Sequence, residues 1–162
     1  MNAVMMPTEV EHRQGVLVLR RVFHAPRELV FDAWTKPEHF RQWFGPAGGS
    51  VPHCRIDLRV GGELHFAVAE PGGQTVWCKG IYQEITPPER LVWLDYFSDE
   101  AGNITEREGF ARETRIEVTF EQHAFDSTLV TVRHEPLEID HGEIQGWKDG
   151  FDRLEALVES LK

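Results

Sequence analysis

Long apolar runs are missing from this 162-residue chain. No stretch approaches the ~20 apolar residues needed to cross a bilayer, so no membrane insertion is expected. Basic residues are also scarce: 17 Lys and Arg stand against 27 Asp and Glu, a net charge of -10. The acidic excess is spread along the chain and repels phosphate backbones, which argues for no nucleic-acid partner. Met1 to Thr8 lacks the basic stretch and apolar core of a secretory signal, so a cytoplasmic location is expected. Cysteine is limited to Cys54 and Cys78. The turns between them predict a third strand separating their two strands. A spacing of ~4.8 Å per strand then puts the Cα atoms ~10 Å apart, beyond the ~7 Å reach of a disulfide. Both read as reduced thiols.

Familiar catalytic signatures are absent as well. His53-Cys54, Cys78, His134-Glu135 and His141 do not have zinc-ligand spacing, so no metal is expected. Gly48-Gly49 and Gly61-Gly62 lack the following Lys-Ser/Thr of a phosphate loop. No nucleophile elbow surrounds Ser50, Ser98, Ser127 or Ser160. No cofactor is implied.

What is present is a clear alternation of element signals. Val16–His24 is β-branched and apolar, a first strand. Pro26 opens a short helix carrying Val30, Phe31 and Trp34. Thr35-Lys36-Pro37-Glu38 has capping-box spacing and predicts a second short helix with Phe40, Trp43 and Phe44, ending at Gly45-Pro46. Strands follow at Val51–Val60, Glu63–Ala69, Thr75–Ile85, Leu91–Phe97, Thr114–Phe120 and Thr128–His134, with Asp99–Gly109 as the longest loop. Ile144, Trp147, Phe151, Leu154, Val158 and Leu161 recur at steps of three and four, one helical stripe, with Glu143, Asp149, Asp152 and Glu155 opposite. Gly142 and Gly146 predict an irregular or closely packed start to that helix.

This order predicts an α+β domain spanning 16–162, preceded by a partly flexible arm over 1–15. A curved antiparallel sheet has one large cover available, the C-terminal helix, and curls round it. A helix ~10 Å across is too narrow to fill the curve, so a cavity is expected beneath it.

The segments RRVFHAPRELVFDAWTKPEHFRQWFGP, DLRVGGELHF, KGIYQEITPPERLVW and GWKDGFDRLEALVE resemble the START-like (SRPBCC) superfamily. The bacterial branch named for the activator of the ninety-kilodalton heat-shock ATPase is the most similar, over about Val16 to Leu161. The resemblance implies a helix-grip fold with a hydrophobic cavity between sheet and C-terminal helix. Superfamily members include lipid carriers, plant hormone and allergen proteins, and aromatic polyketide cyclases.

Candidate lining residues are Trp43, Phe66, Trp77, Trp93, Phe97, Phe120, His134, Trp147 and Phe151, with Trp34 in the same aromatic inventory. His134 is in phase with Val130 and Val132, and with Asp95 it forms the candidate acid–base pair; Tyr96, His65 and Arg55 are alternatives. The register between Cys54 and Ile85 stays open: a two-residue turn at Gly61-Gly62 splits Ile56 and Leu58 from Leu64 and Phe66, which predicts a nearby bulge. The expected function is binding of a small hydrophobic or aromatic molecule by a monomer or homodimer. The alternatives are a cyclase- or hydrolase-like enzyme and a chaperone-regulating or stress-related interaction protein.

Overall fold

The computed structural model describes residues 6–162. Residues 1–5 of the arm lie outside the described residues. Within the arm, Glu9–Arg13 forms β1, an edge strand with no counterpart in the sequence reading. Its chain direction reverses at Gln14-Gly15, where both residues have positive φ, into β2, Val16–Phe23. Helices α1 (Arg27–Thr35) and α2 (Pro37–Trp43) follow. Then come β3 (Ser50–Ile56), β4 (Glu63–Ala69), β5 (Thr75–Thr86), β6 (Arg90–Ser98), β7 (Ile104–Thr105), β8 (Thr114–Ala124) and β9 (Ser127–Glu135). Helix α3 spans Glu143–Ser160.

All strands join one antiparallel, unclosed sheet in the order β1-β2-β9-β8-β6-β5-β4-β3, with the two-residue β7 added to β6. The first long strand therefore pairs with the last, bringing the two short helices and α3 onto the same face. This is the α+β helix-grip architecture expected from the order of elements. Register shifts after Ser50, Tyr82 and Gln122 mark bulges. Each bulge bends its strand and adds to the natural twist, so the sheet curves round its apolar face.

Alternation decides what that face carries. The cross-strand row Tyr82–Trp93–Ile116–His134–Leu17 points inward, as does the row Leu91–Val118–Val132–Leu19. Onto these rows α3 lays Phe151, Leu154 and Val158, all with no exposed surface, and α1 adds Val30 and Trp34. Burying each such side chain contributes about 1.5–3 kcal/mol.

Three local readings are corrected. Thr35 does not cap α2; its hydroxyl donates to Phe31 O, ending α1, and Pro37 opens α2. The strand read as Val51–Val60 stops at Ile56, because Asp57 N already donates to Glu63 O and a six-residue connection follows. Ile56 faces Leu64 directly, while Leu58 and Val60 are exposed, so no bulge is needed beside Gly61-Gly62. Glu155, read as part of the solvent side of α3, is buried: His24 Nδ1 donates to its Oε1 at 2.7 Å. Nearby, the buried Arg21 reaches Asp152 at 2.7 Å. The polar flank of the helix is thereby tied to β2.

Phe151 sits at the junction of α3, β2 and α1, with its ring 5.4 Å from Phe23 and 6.4 Å from Trp34. Phe151→Ala is expected to lower the free energy of unfolding by about 3–5 kcal/mol in urea titration. Val60→Ala, in the exposed connection, is expected to change it by less than about 0.5 kcal/mol.

Candidate functional site

The inward face is not evenly filled. At the α1–α2 end, Trp34 and Trp43 lie 4.6 Å apart, Phe40 stacks on Phe44 at 4.6 Å, and Phe44 meets Phe66 at 5.1 Å and Trp147 at 5.6 Å. These rings form a solid wedge between sheet and helices. Beyond the wedge, toward the β4–β5 turn and the long β6–β8 connection, the interior opens into a cavity of about 860 Å³.

Its walls come from every part of the fold. Trp43 and Phe44 close the wedge side; Phe66, Cys78, Trp93 and Phe97 form the floor; Trp147 and Gly146 of α3 form the roof. The sequence reading misses Gly146 as a cavity former. A Cβ built there meets nothing within 4 Å, so this glycine opens space and is not a packing contact. Arg107 and Phe110 stand at the mouth, where the Phe110 ring lies 4.5 Å from His141 and His141 Nε2 donates to Gly109 O at 3.1 Å. That bond ties the β6–β8 connection to the segment leading into α3.

Of the nine lining candidates, Trp43, Phe66, Trp93, Phe97, His134 and Trp147 reach the cavity. Phe120 and Phe151 do not: both are fully buried, Phe120 against Phe31 and Trp34. Trp77 faces away. It pairs with Ala67 and Ser98 on the outer face, its ring stacked on His65 at 5.1 Å with His53 alongside at 5.3 Å. The same alternation removes His65 and Arg55 from the inner face, since they pair with each other. Cys54, Phe66, Cys78 and Phe97 form one inward row. As the sequence argument requires, β4 lies between the two cysteines, and both are free thiols.

Two polar groups sit on the cavity floor, each held by an indole. Trp93 Nε1 donates to Asp95 Oδ1 at 3.1 Å. Asp95 is enclosed by protein except where it faces the cavity, and that desolvation pushes its carboxyl up to about 7, against the opposing Trp93 N–H. Gly80 makes this pairing possible: it lies opposite Asp95, and a Cβ there falls 2.7 Å from Trp93 Cδ1. At the other end, Trp147 Nε1 donates to His134 Nδ1 at 3.2 Å. That bond leaves the imidazole proton on Nε2. Burial, with the nearby His12 adding to it, lowers the His134 pKa to about 4, so the ring is neutral.

Asp95 and His134 do not form a dyad. They lie two strands and one side-chain step apart, which places their Cα atoms roughly 12 Å from each other. Burial pushes the Cys78 thiol well above its usual pKa, with the Asp95 charge adding and Arg107 opposing. A thiol so protonated is a poor nucleophile. The floor therefore presents a neutral imidazole and a half-protonated carboxyl at separated points among aromatic rings, an arrangement suited to orienting a guest. Among the described residues, no helix is long and apolar enough to cross a membrane.

A family model described as "Activator of Hsp90 ATPase homolog 1-like protein" matches residues 24–159. Among curated proteins, none matches the chain. Solved structures do. Protein Ms6760 from Mycobacterium smegmatis superposes with a TM-score of 0.83 at 22% identity, over 94% of this chain and 97% of that one. Protein CV1439 from Chromobacterium violaceum gives 0.75 at 27% identity, over 91% and 99%. A solution NMR structure of a protein from Staphylococcus epidermidis gives 0.75 at 28% identity, over 94% of each chain.

The two floor groups act oppositely on stability. Asp95, raised when folded, loses its contribution as pH climbs from about 4 through about 7. His134, lowered when folded, loses its contribution as pH falls from about 6.5 through about 4. In the wild type the two slopes offset each other between these limits. Relative to wild type, Asp95→Asn is expected to gain stability as pH rises from 5 to 8, by about 1 kcal/mol or more. His134→Gln is expected to gain as pH falls from 7 to 4. Urea titrations at several pH values read both trends, and parallel profiles for the three proteins would show that folding shifts neither pKa.

Proposed function

The chain belongs to the family of activator of Hsp90 ATPase homolog 1-like proteins, and from that premise we propose that it binds a small, largely apolar molecule beneath α3. The observation that carries this reading is the cavity of about 860 Å³ left open beyond the aromatic wedge. Its size falls within the ~300–1,000 Å³ range of small-molecule sites. Its ring faces suit a flat or greasy body, and Asp95 and the His134 Nε2–H offer two separated hydrogen bonds that fix orientation.

A second reading, acid–base chemistry on the guest, draws on Asp95 alone, whose carboxyl is half protonated near neutral pH. Binding is favoured over turnover because each floor group is hydrogen-bonded to an indole and not to a nucleophile or a second titrating group. The family's name suggests a chaperone contact. That reading needs a contiguous apolar surface. The most exposed large apolar side chains, Val60, Phe125 and Ile139, stand instead in three different connections.

Gly146 supplies the test. Because Gly146 lines the cavity and nothing lies within 4 Å of a Cβ at this position, Gly146→Leu is expected to reduce the space beneath the roof. Wild-type protein is expected to bind the neutral fluorophore N-phenyl-1-naphthylamine with micromolar affinity. Gly146→Leu is expected to weaken that binding at least tenfold while unfolding at the same or a higher urea concentration, since leucine also favours helix. Undiminished dye binding in this variant, or none in the wild type, would overturn the reading.

A further inference from the structure

The cavity mouth carries one cation that no acid neutralises. Arg107 lies in the β6–β8 connection, with its guanidinium carbon 5.6 Å from the centre of the Phe97 ring and 5.1 Å from that of Phe110. The two rings meet edge to face at 5.2 Å and form a notch in which the guanidinium rests. Among the described residues its side chain makes no salt bridge and no hydrogen bond, although the chain carries ten more negative charges than positive ones. Its neighbours Glu106 and Arg112 pair with each other at 3.3 Å and leave Arg107 out.

Ring faces attract the charge of a guanidinium without accepting its N–H donors as an oxygen would, so an edge of the group stays without a hydrogen-bond partner. That edge presents a fork of N–H donors matched to two oxygens of a carboxylate or similar oxyanion. Among the described residues Arg107 is the single Lys or Arg lining the cavity, and it stands close enough to Cys78 to influence that thiol. The other charges around the opening, Glu70, Glu138 and Glu143, are acidic and partly or largely open to water. They are screened by solvent, whereas Arg107 is stripped of water on its ring-facing sides. A small hydrophilic anion is repelled by this acidic rim. A guest whose apolar body enters the cavity can bring its anionic end against the guanidinium edge.

We infer that the guest is an amphipathic anion, an apolar and preferably aromatic body bearing one oxyanion, with Arg107 as the residue that binds the charge. This rests on the cavity being a ligand site and adds the charge and polarity of the ligand. The floor fits the assignment, since His134 is neutral and an Asp95 carboxyl half protonated near neutral pH repels an anion above it less than a fully ionised carboxylate would.

The test uses two dyes that share one skeleton: N-phenyl-1-naphthylamine, which is neutral, and 8-anilinonaphthalene-1-sulfonate, which adds an oxyanion. Binding of each is measured by fluorescence titration on the full chain, counting only the component abolished by Gly146→Leu. The wild type is expected to bind the sulfonate more tightly than the neutral dye, with a preference that falls as salt is raised. Arg107→Met is expected to weaken the sulfonate about tenfold or more and the neutral dye less than twofold, with an unchanged urea midpoint. Arg107→Lys, which keeps the charge, is expected to retain part of the preference. Tight binding of the neutral dye with no sulfonate preference, or with equal losses of both dyes in Arg107→Met, overturns the inference and leaves the ligand site standing. Binding of neither dye overturns both.

Discussion

One steric mismatch governs this molecule: a single helix must cover a sheet much wider than itself. The bulged, twisted strands wrap their apolar rows round α3, yet a helix ~10 Å across covers only part of a curved surface. The fold meets this in two ways along the length of the groove. At one end it brings in α1, against β8 and β9, and α2, against β3; their Trp34, Phe40, Trp43 and Phe44 fill the gap with ring on ring. Toward the β4–β5 turn no further element is available, and α3 itself recedes there, with Gly146 contributing no side chain. The cavity is thus what remains where the supply of covering elements ends.

Contacts along the far part of α3 fix its position over the void. The flank of α3 away from the cavity is fastened to β2 by the Arg21–Asp152 and His24–Glu155 contacts, both at 2.7 Å. The fully buried Phe151, Leu154 and Val158 pin the same part of the helix. Only the first turns of α3 overhang the open end. The helix can therefore serve as a roof, because the free energy that holds it comes from contacts farther along its length.

Much of this was legible in the chain because periodicity reports which residues share a face. The stripe from Ile144 to Leu161 located α3, and alternation in Thr114–Phe120 and Thr128–His134 put Ile116 and His134 on the inner face. The site was legible less evenly, for physical reasons. Trp77 and Trp93 are both strand tryptophans; Trp93 shares the inner face with Ile116 and His134, whereas Trp77 pairs with Ala67 and Ser98 on the outer face. The register on the β3 side was hidden because β3 ends at Ile56, which Leu58 and Val60 disguise by continuing the apolar alternation into an exposed connection. Phe120 and Phe151 have the right orientation yet lie under the wedge, a distinction set by how α1 packs. Glu155 carries an acidic label that says nothing of the histidine waiting for it. The faint signals for the mouth were Phe110, an aromatic in an otherwise polar connection, and the arginine three residues before it.

The chemistry of the cavity follows from how its polar groups are held. A carboxyl and an imidazole placed in a low-dielectric groove each favour the uncharged form, since burial penalises the ion. Here each is fixed by an indole N–H, which satisfies one acceptor without supplying a charge. A lysine or arginine in the place of Trp93 would ionise Asp95 and turn the floor into a charged pair that an apolar guest could not cover cheaply. Indoles instead continue the aromatic wall while orienting the two polar groups. Charge is confined to the mouth, where Arg107 is held by ring faces and the acids remain hydrated. The polarity of the groove therefore rises from floor to opening, and a molecule that fits it carries the same gradient along its own length.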